Sequence, residues 1–333
     1  MSDTLNKGGD MAKYKVLVLN YAKVDMEMER KMLEEVDAEI VMANVTDEES
    51  ALPLAADADA LVTSSVPITD RILDVAKKCK VAVRTGIGFE ALDLPALTRH
   101  GVYAAHVRGF CEQEVADHAM ALALALMRKL NVSQKIKNGQ WKERTWPWVE
   151  NHPVFRLSGQ TFGLVALGST GRNVAKRAQA FGFKVIAFDP FVSADDMKSQ
   201  GVESVDFDTL LKNSDVISVH APLSDSTFHM FNSETFEKMK KTAYLVNTAR
   251  GGLVDNTAIY EALRAGEIAG AGLDVTENEP CLADEPLFAL DNVIITGHTA
   301  GYSVDSLLAL RRGVFSQIVE VFKGGKPKYW LNP

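Results

Sequence analysis

The sequence predicts an α/β protein built as two doubly wound parallel-sheet domains. Three observations point there. Short β-branched or apolar runs alternate with helical-period segments from one end to the other, the pattern of a parallel sheet covered by helices on both faces. The 333 residues are enough for two separate cores at roughly 150 residues per domain. A glycine-bearing strand-to-helix turn opens the second half of the alternation, as a dinucleotide-binding sheet requires.

Composition narrows the class. With 47% hydrophobic and 24% charged residues, the chain is not disordered, collagenous or a disulfide scaffold. Its 36 basic and 44 acidic residues leave a net charge of −8, which gives no pull toward nucleic acid or anionic lipid. The longest apolar run, Ala119 to Met127, is nine residues, too short to cross a bilayer. Residues 1–13 lack the apolar stretch of a secretory signal and predict a mobile leader on a cytoplasmic protein. Cys79, Cys111 and Cys281 are scattered, with no paired spacing and no histidine cluster, so reduced thiols and no metal site are expected.

In the first third, strands are expected at Lys15–Leu19, Ile40–Ala43, Ala60–Thr63, Val81–Arg84 and Val102–Ala104, with helices such as Met26–Glu35 and Thr69–Lys78 between them. The stretch from Cys111 to Leu130 is apolar nearly all round and reads as a buried connecting helix. An irregular arm carrying Trp141, Trp146 and Trp148 follows, suited to packing, an oligomer contact or a site wall. Six further strands are expected, at Thr161–Leu167, Lys184–Phe188, Val216–Val219, Tyr244–Asn247, Ala271–Asp274 and Val293–Thr296. The intervening helices lie near Arg172–Phe181, Thr235–Met239 and Asn256–Ala265. A last helix, Val304–Phe322, is placed to return to the first domain.

The run ALGSTGRNVAKRAQAFGFKVIAFDP puts Ala166, Gly168 and Gly171 at the three fingerprint positions of a dinucleotide turn. The expected site runs from Gly168 through Ser169, Thr170, Gly171 and Arg172, where helix amides face a pyrophosphate. Ala166 takes the place of the first glycine, and the turn is expected to keep a negative φ there. Asp189 lies 18 residues beyond Gly171, where a carboxylate accepts from ribose hydroxyls and repels a 2′-phosphate, favouring NAD over NADP. An Asp-Pro turn is the plain alternative.

Arg250, Glu279 and His298 follow three different expected strands, so all three fall at the carboxyl edge of one parallel sheet. Reduction of a 2-keto acid by a nicotinamide needs a cation for the carboxylate, polarisation of the ketone and a proton donor. A guanidinium supplies the first two. An imidazole, with an ordinary pKa of about 6.5, supplies the third, and a carboxylate beside it favours the charged donor. After the strand VAVR, the backbone of Gly86, Ile87 and Gly88 is a candidate holder of the substrate carboxylate, or else a simple glycine turn.

On RTGIGFEALDL, VADHAMALALAL, ALGSTGRNVAKRAQAFGFKVIAFDP, HAPLSDSTFHMFNSETFEKMKKTAYLVNTARGGLVD, AGLDVTENEP and TGHTAGYS, in that order, the chain resembles the D-isomer-specific 2-hydroxyacid dehydrogenase family, in particular its phosphoglycerate dehydrogenase and C-terminal-binding-protein branches. The likeness runs from about Lys15 to Gly325. It implies a Rossmann NAD-binding domain, residues 111–302, inserted in a flavodoxin-like substrate domain of residues 14–110 and 303–333, and a homodimer. It implies that Arg250, Glu279 and His298 are catalytic and that Gly86 to Gly88 hold substrate. It also implies that Asp274 lies near the nicotinamide carboxamide, and that His220, Thr248 and Ala249 line the cofactor. The chain departs from the family pattern at Ala166, at Gly297 in place of a proline, and at Gly301 where the corepressor branch often carries tryptophan. The activity expected is hydride transfer between NAD(H) and a small or phosphorylated D-2-hydroxy acid. The alternative is an NAD(H)-responsive corepressor-like scaffold.

Overall fold

Five short apolar runs pair into one sheet near the start of the chain: β1 (Tyr14–Leu19), β2 (Ala38–Ala43), β3 (Ala60–Thr63), β4 (Val81–Arg84) and β5 (Tyr103–Ala105). The computed structural model describes residues 12–20, 25–133, 153–281 and 283–333. Two compact units emerge. The N-terminal unit takes the described residues up to Phe110 together with Ser303–Pro333, and the central unit takes those within Cys111–Tyr302. Trp141, Trp146, Trp148 and most of the expected leader lie outside the described residues.

The first sheet is parallel throughout, in the order β2-β1-β3-β4-β5. Both of its faces are covered. Leu17 and Leu19 of β1 join one apolar cluster with Leu61 and Ala82, while Val16 and Val18 join another with Val62 and Val83. Side chains alternate across a strand, so burial on both faces makes each strand read as an unbroken apolar run. The second cluster includes Val314, Phe315 and Ile318 of helix Val304–Phe322, which is how the end of the chain completes this unit. That helix is also tied to helix Glu27–Glu34 by a buried ion pair, Arg311 to Glu29, with one Nη2–Oε2 contact of 2.8 Å.

The central sheet contains β6 (Thr161–Val165), β7 (Lys184–Phe188), β8 (Glu203–Ser204), β9 (Val216–Val219), β10 (Tyr244–Asn247), β11 (Gly270–Leu273) and β12 (Val293–Ile295). Its order is β12-β11-β10-β9-β6-β7-β8, all parallel. The chain reverses direction across the sheet between β6 and β9, the switch point where ligands bind in such folds. Seven strands replace the six expected. The extra one, β8, is a two-residue exposed edge strand, too short to leave a periodic signal.

Helix Glu112–Met127 covers one face of this sheet through Ala116, Ala119, Leu122, Ala123 and Leu126. The stretch is not buried along its whole length as expected: Val115 is only half-buried and Leu130 is exposed. Four short helices were missed, Glu48–Ala55, Leu94–Arg99, Ala194–Ser199 and Phe207–Asn213. Each begins at a side-chain cap, where Asp47, Asp93, Ser193 and Asp206 accept from the amides of Ser50, Ala96, Asp196 and Thr209. Six to eight residues are too few for periodicity to show. The caps were the legible signal.

Candidate functional site

Strand β6 ends in the turn expected for a dinucleotide. Ala166 contradicts the expectation of a negative φ: it lies at +73°. The tight exit from the strand demands the left-handed conformation that glycine normally supplies, and alanine adopts it at a cost of roughly 1–2 kcal/mol. Neighbouring contacts hold the strained turn. The Ala166 amide donates to Phe188 O at 2.9 Å, and the Leu167 amide donates to Asp189 Oδ2 at 2.8 Å. Arg172 Nε donates to Leu167 O at 3.0 Å. Gly171 is required by packing, since a Cβ there would stand 2.4 Å from Ala166 O.

The turn fits a bound dinucleotide on three counts. A Cβ at Gly168 would meet nothing within 4 Å, so open space rather than packing accounts for that glycine. Helix Ser169–Ala180 has no side-chain cap at Gly168, which leaves first-turn amides, among them those of Ser169, Thr170 and Gly171, available to an anion. The Oγ1 of Thr248 is buried without a hydrogen-bond partner among the described residues, as a group awaiting a ligand would be. Ala249, beside it, is half-buried.

Asp189 has both oxygens already engaged, Oδ2 as above and Oδ1 accepting from the Phe191 amide at 2.8 Å. It therefore shapes the turn, with lone pairs left over for a ribose. Arg172 does not stand free at the helix start: its guanidinium is paired with Asp196 Oδ2 at 2.5 Å. His220 lies on the loop after β9, its Nε2 2.9 Å from Ser218 Oγ. Loss of water pushes its pKa down to about 4, so the ring is neutral near pH 7.

The structure brings Arg250, Glu279 and His298 together at the carboxyl edge of the central sheet. His298 Nδ1 lies 2.7 Å from Glu279 Oε2. With that nitrogen donating to the carboxylate, Nε2 is the ring atom left for proton transfer. Burial raises the Glu279 pKa, but the hydrogen bond and charge of His298, the Thr276 amide and the charge of Arg250 outweigh it and hold the carboxyl below its ordinary value. The Thr276 amide donates to Glu279 Oε1 at 3.2 Å.

The Arg250 loop approaches the Glu279 loop through Gly251, where a Cβ would fall 1.8 Å from Thr276 O. Only glycine fits. Asn247, fully buried, shapes the same loop by accepting from the Ala249 amide at 3.0 Å and donating to Arg250 O at 2.9 Å. Sequence reasoning missed both Asn247 and Gly251 as organisers of the site, although NTARGG places them beside Arg250. It also missed Thr296 and His118, which lead to Asp274. Asp274 is buried, and its carboxylate accepts from the Thr296 hydroxyl and from the Thr299 and Ala300 amides.

In the N-terminal unit, the three carbonyls of the loop after β4 are all engaged. Thr85 O accepts from Arg84 Nη1 at 2.9 Å, Gly86 O from the Val107 amide at 2.9 Å, and Ile87 O lies 2.6 Å from His106 Nδ1. The amides of Ile87 and Gly88 have no hydrogen-bond partner among the described residues. Carbonyls tied back and amides left over make a loop suited to an anion. Burial, then the charges of Arg108 and Arg84, push the His106 pKa down despite its bond to Ile87 O, so the ring serves as a neutral donor. Among the described residues no group of side chains could hold a metal, and no helix is long and apolar enough to cross a membrane.

Comparison with known proteins places this geometry. The family model described as D-isomer specific 2-hydroxyacid dehydrogenase, NAD binding domain, matches residues 120–300. A D-3-phosphoglycerate dehydrogenase of Archaeoglobus fulgidus is 39% identical over 265 residues, covering 79% of this chain and 49% of the relative. This chain thus spans about half the length of that enzyme. A glyoxylate reductase of Korarchaeum cryptofilum is 36% identical over 282 residues, 83% of each chain. Among solved structures, a D-isomer specific 2-hydroxyacid dehydrogenase of Lactobacillus delbrueckii ssp. bulgaricus in its NAD complexed form aligns with a TM-score of 0.79. It shares 26% identity over 96% of this chain and 100% of the other.

Turn, sheet edge and likeness together define an NAD-dependent oxidoreductase. The chain belongs to the D-isomer-specific 2-hydroxyacid dehydrogenase family, and NAD is its cofactor.

Proposed function

We propose that this chain interconverts a small or phosphorylated 2-keto acid and the D-2-hydroxy acid, with the cofactor held by the central unit. When bound, NADH supplies the hydride. Arg250 binds the substrate carboxylate and polarises the ketone with its permanently charged donor fork. His298 gives a proton from Nε2 to the forming alkoxide, and in the oxidative direction the neutral ring takes the hydroxyl proton. Glu279 holds the ring by Nδ1. The Ile87 and Gly88 amides, with Gly86, receive the substrate carboxylate.

Gly168, Ser169, Thr170 and Gly171 face the pyrophosphate, with Arg172 bracing the turn. Asp189 takes the ribose, and His220, Thr248, Ala249 and Asp274 complete the cofactor surroundings. The names of the relatives, phosphoglycerate dehydrogenase and glyoxylate reductase, support a substrate with a short chain next to the keto acid. We further assign the protein to the cytoplasm, on its separate thiols, and to a homodimer, on the family resemblance. Light scattering tests the dimer.

The observation that carries this reading is the His298–Glu279 pair at 2.7 Å. Its test is NADH oxidation against glyoxylate, hydroxypyruvate, pyruvate and 3-phosphohydroxypyruvate, with His298→Ala as the control. Tight NADH binding with no turnover on any keto acid would favour the corepressor-like scaffold instead.

A further inference from the structure

His298 sits at φ +54°, a backbone conformation that L side chains rarely adopt and that persists only where the surroundings impose it. The residue before it supplies little restraint. Gly297 has a negative φ, its amide has no partner among the described residues, and a Cβ there would meet nothing within 4 Å. The restraint comes from across the sheet edge. The His298 amide donates to Asp274 O at 2.8 Å, the Thr299 amide to Asp274 Oδ1 at 2.9 Å, and the Ala300 amide to Asp274 Oδ2 at 2.9 Å. Three successive amides thus converge on one buried residue.

The carboxylate is itself aimed. Thr296 Oγ1 donates to Asp274 Oδ1 at 2.5 Å, and His118 Nε2 lies 2.9 Å from the same Thr296 Oγ1. The hydroxyl has one proton and gives it to the carboxylate, so His118 Nε2 must be the donor to the hydroxyl. The order His118, Thr296, Asp274 fixes where the carboxylate oxygens point.

We propose that Asp274, beyond its place in the cofactor surroundings, is a positioning residue for His298: it acts on the reaction by gathering the amides of residues 298–300, and so by setting the imidazole on Glu279. This rests on the reading of His298 as the proton-transferring group. Asp274→Asn keeps the shape but removes one acceptor oxygen from the clamp, and Gly297→Pro restores stiffness just ahead of His298, where the open space and idle amide allow a proline ring.

The test measures kcat at saturating NADH and keto acid, the NADH dissociation constant by fluorescence, and far-ultraviolet circular dichroism of each variant. Asp274→Asn is expected to lower kcat roughly 10- to 100-fold, with the NADH constant changed by a smaller factor than kcat. Adding Gly297→Pro to it should recover at least fivefold, while Gly297→Pro alone stays within threefold of the parent. Should Asp274→Asn not fold, Thr296→Val, which keeps shape and removes one donor to the same oxygen, is expected to lose kcat severalfold and to be recovered by the same proline.

An NADH constant weakened tenfold or more with kcat retained would overturn the proposal, as would the absence of any recovery by proline in a folded variant. His298→Ala separates the two levels. Retained turnover in it sinks the proton-transfer reading and the positioning role together. Lost turnover in it, beside an unimpaired Asp274→Asn, sinks the positioning role alone.

Discussion

Two histidines on the same sheet edge meet opposite surroundings. His220, on the loop after β9, has a serine hydroxyl at 2.9 Å and little water, and its pKa falls to about 4. His298, on the loop after β12, is half-exposed and has a carboxylate at 2.7 Å. The effect of that pair is visible on Glu279, whose carboxyl stays below its ordinary value despite burial. Residue type does not decide what an imidazole at this edge can do. The neighbour and the access of water do.

The contrast breaks most directly at His298. His298→Ala should lower kcat by roughly 10²–10⁴, the usual contribution of a general acid, whereas His220→Asn should leave proton transfer in place. Arg250→Lys should lower kcat/KM roughly 10- to 100-fold, the scale of a charged hydrogen bond lost, because a point charge cannot reproduce a two-pronged contact. In Glu279→Gln, the pH profile of kcat should change, since the imidazole loses the carboxylate bonded to its Nδ1. An unchanged profile would mean the pair is structural.

Stability sharpens the other side of the comparison. An unfolded histidine titrates at about 6.5, so between that value and about 4 the unfolded chain takes up a proton that folded His220 resists. Stability is therefore lost as pH falls through this window. The melting temperature of His220→Asn, followed from pH 7 to pH 4, should fall less steeply than that of the parent. Glu279 behaves with the other polarity of charge but the same sense. Its contribution is present above the ordinary carboxyl value and is lost only as pH falls through the lowered one. The smallest effect is expected at Ala166, where glycine relieves the left-handed backbone and raises stability by about 1 kcal/mol at most, measured by urea unfolding.

Much of the fold could be read from the chain because parallel strands buried on both faces leave continuous apolar runs. β3, β4, β7, β9 and β10 fall where those runs stand, to the residue. The short helices were lost because six to eight residues carry no period, although Asp47, Asp93, Ser193 and Asp206 marked their starts. At the site, Arg250, Glu279 and His298 were legible through their places after strands. What the sequence could not display was how they are held. Asn247 and Thr276 act on groups two or three residues away, Gly251 through its approach to Thr276 O and Thr296 through its hydroxyl on Asp274, and no spacing rule reports such contacts. Ala166 shows the same limit from the other direction: its small side chain suggested an unstrained turn, and tertiary contacts imposed a strained one.

The ion pair between Glu29 and Arg311 joins helices separated in the chain by the entire central unit. During synthesis, the central unit leaves the ribosome as one continuous stretch, while the carboxylate of Glu29 must wait in water for its guanidinium. Folding of the N-terminal unit therefore cannot finish until helix Val304–Phe322 has left the ribosome, and until then the sheet face it covers stays open.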